Sequence, residues 1–171
     1  KEDGLRLVEQ YISQYDTHKD GKESFPTSLR LINWIKFLAI HKIDDENVRK
    51  YINQDAWRLY HNPEYHLLGN HLLENGFGLF FAGNYLNDER LLTLAENILK
   101  AELEEQILPD GGHFELSPMY HQHMLFRVLD CIQLLKMNHQ YEQDLLSLFT
   151  EKASKMLGWL RAMTFDNGDI P

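Results

Sequence analysis

The chain has 171 residues, 43% of them hydrophobic and 12% aromatic, which excludes a disordered composition and is enough for a sizeable core. Its net charge of −9 excludes non-specific nucleic-acid binding, which needs a basic footprint. The single cysteine, Cys131, excludes an internal disulfide, and no apolar run approaches the roughly 20 residues of a membrane span.

The apolar spacing is helical almost throughout. Leu5, Val8, Tyr11, Ile12 and Tyr15 mark a first helix, and Asp16 to Ser24 a polar loop around Gly21. Pro26-Thr27-Ser28 opens a second helix carrying Leu29, Ile32, Trp34, Ile35 and Leu38. Asp44 or Asp45 caps a third, with Val48, Ile52, Ala56 and Leu59, and Asn62-Pro63 breaks it. Pro63 is suited to begin a fourth, predicted from about Glu64 to Tyr85. A fifth follows Asn87-Asp88, and Pro109-Asp110-Gly111-Gly112 is a turn. Ser117-Pro118 reads as N-cap and first position of a sixth helix, which buries Cys131 as core filler. Asn138-His139 is a short connection to a last helix carrying Leu145, Leu148, Phe149, Ala153, Leu157 and Leu160. No useful period-2 pattern appears, and short connections make neighbouring helices antiparallel hairpins. The fold class is therefore all-α, and a bundle, a solenoid and an α/α toroid all remain open. The segment from Lys1 does not read as a secretory leader. Asp166 to Pro171 reads as a loop leading onward, so the chain is expected to be part of a longer protein.

Two segments carry polar groups that a plain helical surface would not. In Glu64 to Asn75, a continuous helix would stack His66, Asn70 and Glu74 at i, i+4 and i+8, with His71 and Asn75 about 100° round. Leu67, Leu68, Leu72, Leu73 and Phe77 would flank that stripe. It reads either as a buried hydrogen-bond network or as a site. In Asp110 to His123, a glycine turn feeds a capped helix start with Tyr120 in its first turn. The positive end of the helix dipole there favours an anion, and a tyrosine used as a base needs such help, since its reference pKa is about 10. Alternatively, Tyr120 is an aromatic anchor. His113, His121 and His123 invite a metal reading, but His121 and His123 point roughly 200° apart on a helix, so no metal site is expected.

At these segments the chain resembles the heparinase II/III-like polysaccharide lyases. Tyr65 to Asn75, containing Asn70-His71, and Asp110 to His121, containing Ser117-Pro118-Met119-Tyr120-His121, carry the resemblance, with Pro26 to Arg30 and Asn33-Trp34 upstream. The resemblance implies an incomplete α/α toroid followed by a β-sandwich domain lying C-terminal to Pro171, the own-chain partner. It implies β-elimination at a uronic acid of an acidic polysaccharide, without a cofactor, in a periplasmic or secreted protein. Carried over residue by residue, Asn70 neutralises the uronate carboxylate with His71 beside it. Tyr120 is the base, or base and acid in turn. His121 is implied as a substrate-binding or supporting group, and Glu74 and Glu115 as groups that orient donors; apart from the resemblance, Arg30, Arg58, Arg90 and Arg127 are the basic residues available to line a cleft and bind substrate. Where relatives are expected to carry a basic residue after Glu115, this chain has Leu116. With the negative charge, that favours a uronate polymer less charged than heparin, with heparin- or heparan-sulfate-like and alginate-like polymers both left open. The runner-up is a non-catalytic carbohydrate-binding or scaffold module of the same fold. A helical glycoside hydrolase would have to use Glu74 and Glu115 as its carboxylate pair.

Overall fold

The computed structural model describes residues 1–138 and 143–170. Seven α-helices are found among them: α1 Glu2–Ser13, α2 Ser24–His41, α3 Glu46–His61, α4 His71–Leu86, α5 Glu89–Gln106, α6 Pro118–Met137 and α7 Gln143–Met163. The chain divides into two compact units, Lys1–Asn97 and Ile98–Pro171, with the boundary inside α5.

In the first unit, α2, α3 and α4 pack on one another and α1 packs on α3. Asp45 starts α3 by accepting a hydrogen bond from the Val48 amide at 2.9 Å, as its position before an amphipathic run predicts. Helix α4 is buried continuously from Leu72 to Gly83, so it has no solvent face. That explains its composition: apolar residues all round, with glycines where another backbone comes near. At Gly78 a Cβ would stand 2.8 Å from the Ser28 Cα, so only glycine allows α2 this close.

The predicted fourth helix is shorter than expected. Residues 62–70 form a loop, and α4 begins at His71 with Asn70 as its N-cap. Three local features compete with the helix. Pro63 brings no amide hydrogen. The Glu64 amide donates to the Asn75 side chain at 2.9 Å rather than along a helix. Gly69 turns the backbone at φ +85°. The proposed i, i+4, i+8 stripe of His66, Asn70 and Glu74 therefore does not exist. His66 lies in an exposed turn, Asn70 caps, and Glu74 sits buried in the first turn of α4. Leu67 and Leu68 do not flank a stripe either, and Leu68 is 94% exposed. A smaller difference is at α2, which starts at Ser24, two residues before Pro26. His139 lies outside the described residues.

A buried ionic cluster ties α1, α2 and α3 together. Asp55 accepts from the Tyr15 hydroxyl at 2.5 Å and from Arg30 Nε at 2.7 Å. Arg30 also donates to the Gly21 carbonyl at 2.7 Å and covers the Tyr11 ring at 4.8 Å. Burial, and then the bond to Asp55, push the Tyr15 hydroxyl well above the ordinary tyrosine range, so it stays a donor. Asp55→Asn keeps the shape and an acceptor but leaves Arg30 without its counter-charge. The expected cost is about 2 kcal/mol, read as a lower urea midpoint at unchanged slope.

In the second unit, α6 and α7 pack together, and residues 107–117 fold back along them. Ser117 caps α6 and Pro118 stands in its first turn, as the sequence predicts. Cys131 is buried in the α6 core face.

Candidate functional site

The start of α4 carries the first group of predicted residues. Asn70 is 7% exposed, yet its side chain makes no cap bond. Its backbone, at φ −82° and ψ 6°, lacks the extended conformation that turns an N-cap side chain onto the helix. An amide at a helix start, released from capping, is available to a ligand, and the dipole there favours an anion. His71 follows, with its side chain 39% exposed. Its ring lies 4.7 Å from that of Phe25, and its Nδ1 stands 3.4 Å from Glu64 Oε2.

Behind these two residues lies a buried polar chain. Glu64 Oε2 accepts from Asn75 Nδ2 at 3.2 Å, and the same amide nitrogen donates to Ser28 Oγ at 3.1 Å. Ser28 Oγ in turn donates to the Ser24 carbonyl at 2.8 Å, while the Ser24 hydroxyl donates to the Asn62 carbonyl. Glu64 and Asn75 thus hold both ends of the loop onto α2 and α4. Glu74 is fully buried. It has no surface from which to touch a sugar or protonate a glycosidic oxygen, which removes the carboxylate pair a hydrolase would need.

In the second unit, Tyr120 is the third residue of α6. Its amide points at Ser117 Oγ at 3.5 Å, and the residue is 42% exposed. The phenol therefore stands at the positive end of a 20-residue helix, open to a ligand. Glu115 is partly exposed, with Oε2 at 4.0 Å from His113 Nδ1. Leu116, next in sequence, is exposed and takes a left-handed conformation, φ +54°.

His121 and Arg127 correct the sequence reading. His121 is expected from the resemblance, and Arg127 from its charge, to meet substrate, and both are buried. His121 uses both ring nitrogens internally: Nδ1 accepts from the His113 amide at 3.3 Å, so Nε2 carries the hydrogen and donates to the Met156 carbonyl at 3.0 Å. Its ring packs on Trp159 at 4.4 Å. It is a strut between the turn and α7. Arg127 is 5% exposed and sits 4.0 Å from Asp130 one turn on. Facing inward on a helix of mixed polarity, neither is separable from an outward residue by periodicity alone.

His113 stands out in the sequence only as part of a histidine cluster. It is fully buried, with Nε2 at 3.0 Å from Gln106 Oε1. Burial first, and then the neighbouring His121, depress it to about 4. Burial depresses His121 as well. The sign follows directly: between about 4 and 6.5 the unfolded chain binds more protons at His113, and His121 acts in the same direction, so stability is complete above 6.5 and is lost as pH falls. We expect the second unit to lose on the order of 2–3 kcal/mol across that window. Urea midpoints at pH 7 and pH 5 measure it. His113→Leu should flatten the difference, and an equal difference in the variant would refute the assignment. Among the described residues, no three metal-ligating side chains converge.

The fold defines an all-α protein of helical hairpins, carrying an Asn-His pair at one helix start and a tyrosine at another. The chain belongs to the family described as Heparinase II/III N-terminus, which matches residues 24–171. No curated protein matches it. Among solved structures it is similar to heparinase III, with 21% identity and a TM-score of 0.76 over 98% of this chain and 28% of that one. It is also similar to heparan sulfate lyase HepC from Pedobacter heparinus, with 18% identity and a TM-score of 0.66 over 96% of this chain and 29% of that one. A mutant of the same lyase gives 19% identity and a TM-score of 0.69. The fold is thus that of the N-terminal helical toroid region of these proteins, and the chain spans less than a third of their length. Among the described residues, no helix is long and apolar enough to cross a membrane.

Proposed function

We propose that this chain is the helical part of a polysaccharide lyase that cleaves a uronic-acid-containing polymer by β-elimination. The observation that carries the reading is Asn70: a nearly buried amide at the start of α4, released from capping, within a family match running from residue 24 to 171. In the reaction, the C5 proton of the uronate is removed, the C4–O bond breaks, and a C4–C5 double bond forms. The proton is very weakly acidic until the adjacent carboxylate is neutralised. Asn70 supplies hydrogen-bond donors to that carboxylate and stabilises the enolate-like intermediate, with His71 beside it. Tyr120, exposed at the start of α6, takes the proton and returns one to the leaving oxygen.

The longer parent protein supplies the rest. We place a C-terminal β-sandwich domain after this chain, and the parent in the periplasm or outside the cell. The negative charge of this chain supports a uronate polymer less charged than heparin, heparan-sulfate-like or alginate-like. The test is ultraviolet absorbance of the unsaturated uronate product, with the parent protein and a panel of uronate polymers. A rising signal on one polymer gives reaction and substrate class together. A folded parent that is silent on every polymer, yet retains one of them on an affinity column, would replace the lyase reading with a binding module.

A further inference from the structure

The geometry points to Glu64 as a positioning residue for His71, one that fixes which ring nitrogen faces the sugar; this rests on the reading that His71 lies beside the substrate carboxylate. Glu64 Oε2 already accepts a hydrogen bond from Asn75 Nδ2 at 3.2 Å. It is therefore a lone-pair oxygen, and His71 Nδ1, 3.4 Å away, must bring the hydrogen to that contact. The bond made by one imidazole nitrogen sets the state of the other. Nδ1–H toward Glu64 leaves Nε2 as the outward atom, a lone pair in neutral His71 and a donor in the protonated form.

The loop holds Glu64 unusually firmly for this purpose. Asn75 grips it twice, accepting from its amide at 2.9 Å and donating to its carboxylate, and Asn75 is itself tied to Ser28 on α2. Phe25, also on α2, covers one face of the His71 ring. The groups in contact with the ring are thus Glu64 from the loop and the uncharged Phe25 from α2. Of these, Glu64 is in hydrogen-bond contact with Nδ1. A merely structural Glu64 would need only its bonds to Asn75; the contact to a half-exposed histidine adds nothing to that role.

The test is nitrogen-15 NMR of the histidine side chains in this chain at a pH where His71 is neutral. His71 should be in the Nδ1–H form in the wild type and shift to predominantly Nε2–H in Glu64→Gln, whose amide can donate to Nδ1. In the full-length parent, the same variant should lose about tenfold or more in kcat with KM little changed, because a wrong tautomer misplaces the proton without removing the binding surface. Glu64→Asp should recover part of the loss. An Nε2–H form in the wild type would overturn the proposal without any variant, as would a Glu64→Gln protein that melts lower but keeps the Nδ1–H form. The NMR result is independent of turnover, so a parent without lyase activity would refute the reaction and leave the Glu64–His71 assignment standing.

Discussion

Under the proposed function, Tyr120→Phe in the full-length protein is expected to lower kcat for β-elimination by about 10²–10⁴-fold, the range a positioned acid–base group supplies. The argument is local. Tyr120 is exposed in the first turn of α6, where the hydroxyl is not part of the core, so its removal leaves packing intact. KM should change little and the thermal midpoint of the second unit hardly at all, since the ring remains. A loss of less than about tenfold, or a loss of folding, would take the proton-transfer role away from Tyr120. Asn70→Ala should also remove turnover while Tyr120 stays in place, because an uncompensated carboxylate opposes a second negative charge.

The largest stability effect is expected at Gly111, which lies in the turn before α6 with φ +90°. A Cβ there would stand 2.2 Å from the Lys155 carbonyl oxygen and 2.5 Å from its carbon. Both obstacles are backbone, so no side-chain rotation relieves them, and the positive φ adds its own strain for any L side chain. Gly111→Ala therefore has to push the turn off α7. It should break the bonds that close the turn, Leu108 to Gly112 at 2.9 Å and Gly111 to Leu108 at 2.8 Å. We expect about 4–5 kcal/mol of destabilisation, measured by chemical denaturation, which is a large fraction of a small domain's total stability. By contrast Gly158 lies on the open side of α7, where an added Cβ would meet nothing within 4 Å. It should accept alanine and gain slightly in helix propensity. Equal effects at the two glycines would refute the steric account.

Long, strongly periodic helices are legible from sequence, and so are their polar starts: Asp45 and Ser117 cap where the residue pattern places them. The beginning of α4 is not. There the apolar spacing continues backward through Leu68 and Leu67, but the hydrogen bonds do not, because the Asn75 amide takes the Glu64 backbone and Gly69 reverses the chain. Competition by a side chain eleven residues away has no signature in a periodicity. The same limit applies to the site. Asn70, His71 and Tyr120 sit at helix starts, a position visible in the sequence for Tyr120 and hidden for the other two by the apolar run before them. The inward turn of His121 and Arg127, and the grip of Glu64 on His71, are decided by packing. One clue is available: Glu64 and Asn75 bracket the loop, and a buried acid and amide so close in sequence invite a direct bond.

The continuous burial of α4 from Leu72 to Gly83 has a consequence for synthesis on the ribosome. Helices α2 and α3 leave the exit tunnel first, and each has an apolar side whose covering is still to come. Until residues 72–83 emerge, that seam is open to water and to other nascent chains. Arrest of translation between α3 and α4 would therefore yield a sticky intermediate, and a chaperone that shields this stretch of elongation would do more for the yield than one acting on the finished chain.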